Sequence, residues 1–335
     1  MSEEAWKSQG GDRHYYRIGP VIMSVIFVGD NLKNIIDPAL QHNRLSEIPE
    51  KITATIYALD AAASGVTAPP VEWPFPVDTR DHFQRIHWKP DEGMALASDE
   101  TRGIWNLFNM LDRKGAYWVR NGDDLPSWEA GAPLRIFIHW LSRLENVQLV
   151  HAASLLLDGQ GILLTGAGGS GKSTTTAAAL VSGWHTAGDD FVLIEGSDQP
   201  VGYCIYDTVK LSGMALEAIP EIAGQAVNPS RSADDKARIH LQNFYYSQLI
   251  LKMPVSAIFS IKIGHAKSTE IYPVSKAEVM KALAPSTLFM LRTGMQEAFM
   301  QVTALVNHLP CYHIKLGNNP FEVINKLGKF IKKTL

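Results

Sequence analysis

The sequence predicts an α/β protein: a domain over residues 132–335 built around a strand, a glycine-rich loop and a helix, preceded by a smaller β-rich domain over residues 1–131. Three observations carry this. A chain of 335 residues exceeds what one hydrophobic core usually organises. The first third holds β-branched and aromatic runs separated by prolines. Beyond it, apolar residues 162–165 run straight into a glycine-rich loop over 166–171, and then into an alanine- and threonine-rich segment of helical character.

In the first domain, residues 15–28 and 51–59 read as strands, and Pro69, Pro70, Pro74, Pro76 and Pro90 exclude long helices between them and residue 100. Residues 101–111 carry Ile104, Leu107, Phe108 and Leu111 at helical spacing and predict a short helix. The aromatic residues Trp73, Phe75, Phe83 and Trp88 are expected in a core, with a partner surface or a peptide groove as the alternatives. Pro133 suits a first helical position, and Leu134, Phe137, Ile138, Leu141 and Leu144 predict a helix that packs on the domain that follows. Residues 150–157 read as one apolar strand ending in the turn sequence Asp158-Gly159-Gln160-Gly161. Further strands are expected over 191–194, 203–211, 255–263 and 310–316. Ser275 and Glu278 have capping-box spacing, and Asn319-Pro320 opens a last helix with Phe321, Ile324, Leu327 and Ile331 on one side.

Composition narrows the class. Hydrophobic residues make up 46% and charged residues 19%, as in ordinary globular proteins. A formal net charge of -3 offers no cationic surplus for nucleic acid or an anionic membrane, so neither partner is expected. Cys204 and Cys311 suggest neither a disulfide framework nor a zinc site. The start Met-Ser-Glu-Glu is acidic where a secretion signal is basic, and residues 18–28 are too short to span a bilayer, so a cytoplasmic protein is expected. Lys329, Lys332 and Lys333 in the last helix complement its dipole rather than mark a membrane helix.

The loop Gly166-Ala167-Gly168-Gly169-Ser170-Gly171-Lys172-Ser173 fits the pattern G-x-x-x-x-G-K-S/T without mismatch. Its glycines let backbone N–H groups converge on phosphate oxygens, and the helix that follows aims its positive end at the same point. Lys172 is placed to reach the β- and γ-phosphates of ATP, Ser173 to ligate Mg²⁺, and Thr174 continues the cradle. The base-reading motif of switch GTPases is absent, as is the signature of transporter ATPases.

Gly188-Asp189-Asp190 precedes the strand at 191–194. One carboxylate there could serve the metal, with Asp190 the candidate, and the other accept a substrate proton; a turn rich in aspartate is the alternative. A two-residue hairpin within residues 158–161 would set His151 opposite Gly168 in the loop, where it would orient an acid or touch a phosphoryl oxygen. A structural histidine remains the other reading.

Taken in order, His151-Ala152-Ala153, Asp158-Gly159, residues 166–173 and Gly188-Asp189-Asp190 resemble the catalytic half of the HPr kinase/phosphorylase family, and especially the HPr-kinase-like serine kinases of lasso-peptide type. The resemblance covers residues 132–200 well, the rest of the second domain loosely and the first 130 residues hardly at all. It implies a fold akin to phosphoenolpyruvate carboxykinase, ATP and Mg²⁺ as cofactors, and homo-oligomers as a frequent state. It also implies catalytic roles: Asp189 as general base, His151 tuning that aspartate, Lys172 on the phosphates. Thr174 stands where that family has glutamate, and its E-x-R-G signature has no counterpart closer than Asp207.

The resulting expectation is transfer of the γ-phosphate to a hydroxyl, a serine of a peptide or small protein. A nucleotide-gated binding protein or ATPase without transfer, and a small-molecule kinase, are the alternatives. Repulsion from Asp190 should raise the Asp189 pKa while Lys172 and Mg²⁺ lower it. Arg231, Lys236, Arg238 and His240 form either an anion clamp or a solvated loop, and Arg292 is a further basic candidate.

Overall fold

A computed structural model describes residues 6–7, 10–66, 85–229, 232, 235–264, 268–291 and 293–335. The molecule is a mixed α/β protein that divides into two compact units, Met1–Glu145 with Arg292–Gly294, and Asn146–Leu291 with Met295–Leu335.

The first unit is built on seven strands, β1 (Arg13–Ile18), β2 (Val21–Val28), β3 (Ala54–Asp60), β4 (Arg85–Lys89), β5 (Met94–Asp99), β6 (Ile104–Asn109) and β7 (Lys114–Val119), in the order β1-β2-β3-β7-β6-β5-β4. The centre is parallel, β2 to β3 and β3 to β7, and its strands are buried on both faces, as parallel strands usually are. The residues expected to form a helix over 101–111 form β6 instead. Gly103, at φ +66°, turns the chain, and Leu111, which completed the helical stripe, is 82% exposed. Pairing on both sides, with β5 and β7, outweighed the helical spacing.

The helix expected from Pro133 begins at Arg135, because Leu134 takes a left-handed φ of 54°. It belongs to the first unit rather than to the following domain: Trp140 stacks on Phe108 with centroids 6.3 Å apart, and Phe137 meets both rings edge-on. Trp88 joins that cluster through Trp140. Trp73, Phe75, Phe83, Arg231 and Arg292 lie outside the described residues.

The second unit contains β8 (Gln148–Val150), β9 (Ala153–Leu157), β10 (Gln160–Thr165), β11 (Val192–Glu195), β12 (Val201–Cys204), β13 (Thr208–Leu211), β14 (Ala237–His240), β15 (Lys252–Pro254), β16 (Ala257–Ile263), β17 (Glu270–Pro273) and β18 (Cys311–Leu316). They form a five-stranded sheet, β17-β18-β16-β10-β9, a four-stranded sheet, β15-β12-β11-β8, and the ribbon β13-β14. In the larger sheet β10, β16 and β18 run parallel. Alternate residues sort to its two faces. Ile162 and Leu164 pack with helices Lys172–Val181 and Pro320–Thr334, while Leu163 packs with helices Lys276–Leu291 and Met295–His308.

Both predicted caps are present. The Ser275 hydroxyl accepts from Glu278 N at 3.3 Å and Glu278 answers on Ser275 N at 3.2 Å, and the Asn319 side chain accepts from Phe321 and Glu322 N–H. Among the described residues no helix is long and apolar enough to cross a membrane.

Candidate active site at the glycine loop

The strand–loop–helix unit is β10, residues 166–171 and helix Lys172–Val181. Gly171 is the helix N-cap at φ +100°, and a Cβ there would come within 2.4 Å of Leu316 Cδ1, so only glycine turns the chain at this point without strain. The Lys172 ammonium donates to the carbonyls of Gly166 at 2.8 Å and Ala167 at 3.3 Å, which holds it across the mouth of the loop. Burial lowers its pKa, against the opposing pull of Asp189 and Asp190 and with a further push from the charge of Lys236. Thr175 and Thr176 bond back to the carbonyls of Gly171 and Lys172, pinning the first turn.

The apolar run 150–157 is two strands of two different sheets, β8 and β9, and His151 lies at the break between them. The expected hairpin register is also corrected. Asp158 and Gly159 both take positive φ, 50° and 80°, and form the central pair of the turn, so Leu157 faces Gln160. The ladder ends with Ala153 opposite Leu164, so pairing with the strand stops before His151 is reached. His151 sits instead at the end of β8 beside the entry to β11, with its ring 5.1 Å from that of Phe191.

The two aspartates are anchored through Gly188, whose carbonyl accepts from Ser154 N at 2.9 Å and whose N–H donates to Thr186 Oγ1 at 3.0 Å. The pair then diverges. Asp190 Oδ1 is 3.0 Å from His151 Nε2 and its Oδ2 is 2.5 Å from Lys210 Nζ. Burial disfavours its charge, but the Lys210 ammonium and the His151 contact together hold its carboxyl well below the usual carboxylate range. Asp189 is 1% exposed and neither of its oxygens has a hydrogen-bond partner. Burial, and then the neighbouring Asp190 charge, push its pKa up; the hydroxyls of Ser173 and Thr176 stand near enough to favour the anion without completing a bond to it. The resemblance implied that His151 tunes Asp189; the contact is with Asp190, because β8 pairs with β11 and brings residue 151 to the outer member of the pair.

The loop, Lys172, Ser173, Asp189, Asp190 and His151 thus share one region of the second unit. Asp207 does not join them: it is buried and its carboxylate takes a bond with His240 Nδ1 at 2.8 Å. Lys210 and Thr176 are the site residues that sequence reasoning missed. Lys210 had a faint signal, the polar–apolar alternation Thr208-Val209-Lys210-Leu211, which marks a half-buried strand next to Asp207.

The donor set fits a magnesium nucleotide. A buried carboxylate with two unpaired oxygens is costly unless a proton or a cation completes it, and with the Ser173 hydroxyl beside it Asp189 suits a divalent ion. Among the described residues no three His, Cys, Asp or Glu side chains converge as a metal cage. Mg²⁺ in phosphate sites uses one or two protein ligands beside phosphate oxygens and water, so this set suffices.

No protein-family model and no curated protein matches the chain. Among solved structures it is similar to the Hpr(Ser) kinase/phosphatase from Coxiella burnetii, at 12% identity, over 56% of this chain and 96% of that chain, with a TM-score of 0.32. That is a distant likeness, and the chemistry of the site rests on its own residues.

Proposed function

We propose that the chain binds ATP with Mg²⁺ at residues 166–174 and transfers the γ-phosphate to a hydroxyl, the acceptor being a serine of a peptide or small protein. The observation that carries this reading is the divided aspartate pair: one carboxylate buried beside Ser173, the other held outward by His151 and Lys210.

The loop amides, Lys172 and the helix N-terminus bind the phosphate chain and oppose its charge. Lys172 would leave the carbonyls of Gly166 and Ala167 for phosphate oxygens, which offer a charged acceptor instead of a neutral one. Mg²⁺, when bound, would neutralise charge on the phosphates, held by Ser173 and Asp189. Asp190 would orient the acceptor hydroxyl and receive its proton, because its side chain is 25% exposed and can be reached, whereas Asp189 is sealed. This exchanges the roles that the family resemblance implied for the two aspartates. A carboxylate held firmly anionic suits that role, since phosphoryl transfer runs through a loose transition state that needs alignment more than a strong base. His151 and Lys210 fix the Asp190 carboxylate by one contact to each oxygen.

The test is transfer of labelled γ-phosphate to acceptors in a cell extract by the wild type, Asp189→Asn and Asp190→Asn. Asp190→Asn should bind ATP normally and lose roughly 10²–10⁴-fold in transfer. Asp189→Asn should instead need far more Mg²⁺ for both binding and transfer. Full transfer by Asp190→Asn overturns the assignment. ATP bound with no acceptor labelled by any form would favour a nucleotide-gated binding protein.

A further inference from the structure

Two buried hydroxyls tie the aspartate turn to β9, and nothing in the phosphate loop calls for them. Ser154, in β9, and Thr186 are both fully buried. The Ser154 Oγ accepts from Ala187 N at 3.0 Å and donates to the Gly188 carbonyl at 3.2 Å, beside the 2.9 Å bond from Ser154 N to the same carbonyl. Thr186 Oγ1 donates to the Ser154 carbonyl at 2.7 Å and accepts from Gly188 N at 3.0 Å. These bonds close a ring in which the N–H and the carbonyl of Gly188 are both taken.

Side chains close the ring because the main chain is committed elsewhere. Thr186 N donates to Gln248 O at 2.8 Å and Thr186 O accepts from Ile250 N at 2.9 Å, so its backbone pairs with that segment and its side chain is what reaches β9. Gly188 itself stands at φ +128°, where a Cβ would come within 3.0 Å of Phe191 O, so the turn needs the residue whose backbone is freest. The ring removes that freedom, because breaking any of its bonds strands a polar group away from water. The next residue is Asp189, and neither of its carboxylate oxygens has a hydrogen bond of its own. Its place beside Ser173 is therefore set through the backbone of Gly188 rather than by contacts of its side chain.

We propose that Ser154 and Thr186 are positioning residues for the ion site: their hydroxyls fix Gly188, and through it set the Asp189 carboxylate for a divalent cation. The inference rests on the magnesium-nucleotide reading above and adds the residues that govern its ion. Neither hydroxyl touches nucleotide or cation; each acts through the backbone, as the outer partners of a metal ligand do. The consequence is selective. Ion affinity depends on the ring, whereas the hold of residues 166–173 on phosphate does not.

The full chain, loaded with a non-hydrolysable ATP analogue, is titrated with Mn²⁺, whose bound fraction is read by electron paramagnetic resonance; analogue binding without metal is measured alongside in EDTA. Thr186→Val keeps the shape of the side chain and removes the hydroxyl, and should weaken Mn²⁺ binding roughly 10–100-fold with metal-free analogue binding unchanged. Thr186→Ser should restore it. Ser154→Ala, which leaves the bond from Ser154 N to Gly188 O in place, should weaken Mn²⁺ binding by a smaller factor, and it carries the test alone if Thr186→Val does not fold. Wild-type Mn²⁺ affinity in folded Thr186→Val, or in Ser154→Ala where it stands alone, overturns the inference. Equal losses of Mn²⁺ and of metal-free analogue binding overturn it too, since the ring would then support the whole loop. Asp189→Asn separates the underlying reading: undiminished Mn²⁺ binding by that variant overturns Asp189 as an ion ligand and the inference with it. Failure of the analogue to bind the wild type overturns the phosphate-loop reading and everything built on it.

Discussion

Lys210→Met keeps most of the side-chain volume and deletes one charge, the ammonium 2.5 Å from Asp190 Oδ2. Both side chains are shielded, 15% and 25% exposed, so solvent screens the pair only in part. A hydrogen bond to a charged group contributes about 1.5–3 kcal/mol, which corresponds to roughly 10–150-fold in a rate if the contact aligns the reacting group. The pH dependence has a definite sign. Asp190 is now held below its ordinary pKa, so its anion persists through acid conditions; the stability it contributes is full above the ordinary value and drains as pH falls from there through the depressed one. Without Lys210, burial opposes the charge with only His151 and the Lys172 charge against it, and the pKa rises. The acid limb of kcat against pH should therefore move upward in the variant, while ATP binding measured by calorimetry changes little. Wild-type kcat with an unmoved acid limb would refute the placement of Asp190 at the acceptor. A lowered melting temperature with an unchanged profile would reduce Lys210 to a strut.

Gly171→Ala should cost about 1–3 kcal/mol, because a left-handed φ of 100° is combined with a Cβ 2.4 Å from Leu316 Cδ1. Calorimetry should show weaker ATP binding, and Leu316→Ala, a core truncation, should cost less stability in the Gly171→Ala chain than in the wild type; equal costs would mean that backbone strain, not the clash, dominates. In the first unit, His139 is 3% exposed, bonded to Thr293 Oγ1 at 2.5 Å, and burial lowers its pKa from 6.5 to about 3. The unfolded chain takes up this proton first, so stability is full above about pH 6.5 and drains as pH falls towards about 3, by up to roughly 5 kcal/mol. Urea midpoints should flatten against pH over that window in His139→Asn, and equal slopes in the two proteins would show that other groups drive the acid sensitivity.

What the sequence disclosed was what neighbours along the chain decide. The glycine loop is a local construction, strand into turn into helix, and so are the caps at Ser275 and Asn319, each closed within three residues. The failures share a different cause. An apolar run such as residues 150–157 says that it is buried but not in which sheet, so its division into β8 and β9 could not be read. The hairpin slipped because both Asp158-Gly159 and Gly159-Gln160 offer turn residues, and only positive φ at Asp158 selects the first pair. It is the break between β8 and β9, more than that slip, that takes His151 away from the loop and brings it to Asp190.

The helix Arg135–Leu144 failed in a third way. Its polar stripe, Arg135, His139, Ser142 and Arg143, is itself buried or half-buried, and periodicity cannot name what covers either face of such a helix. At the site the same division holds. Lys172, Ser173 and the aspartates are recognised by type and order, but the contact of Lys210 with Asp190 joins the ribbon to the entry of a strand in a different sheet. The alternation of Thr208-Val209-Lys210-Leu211 and of Ala237-Arg238-Ile239-His240 does state that each strand has one apolar and one polar face. It leaves open that the two polar faces are one face, since only the register of Lys210 opposite Arg238 makes them so. A polar face assembled by register is thus the part of this protein that composition and spacing conceal.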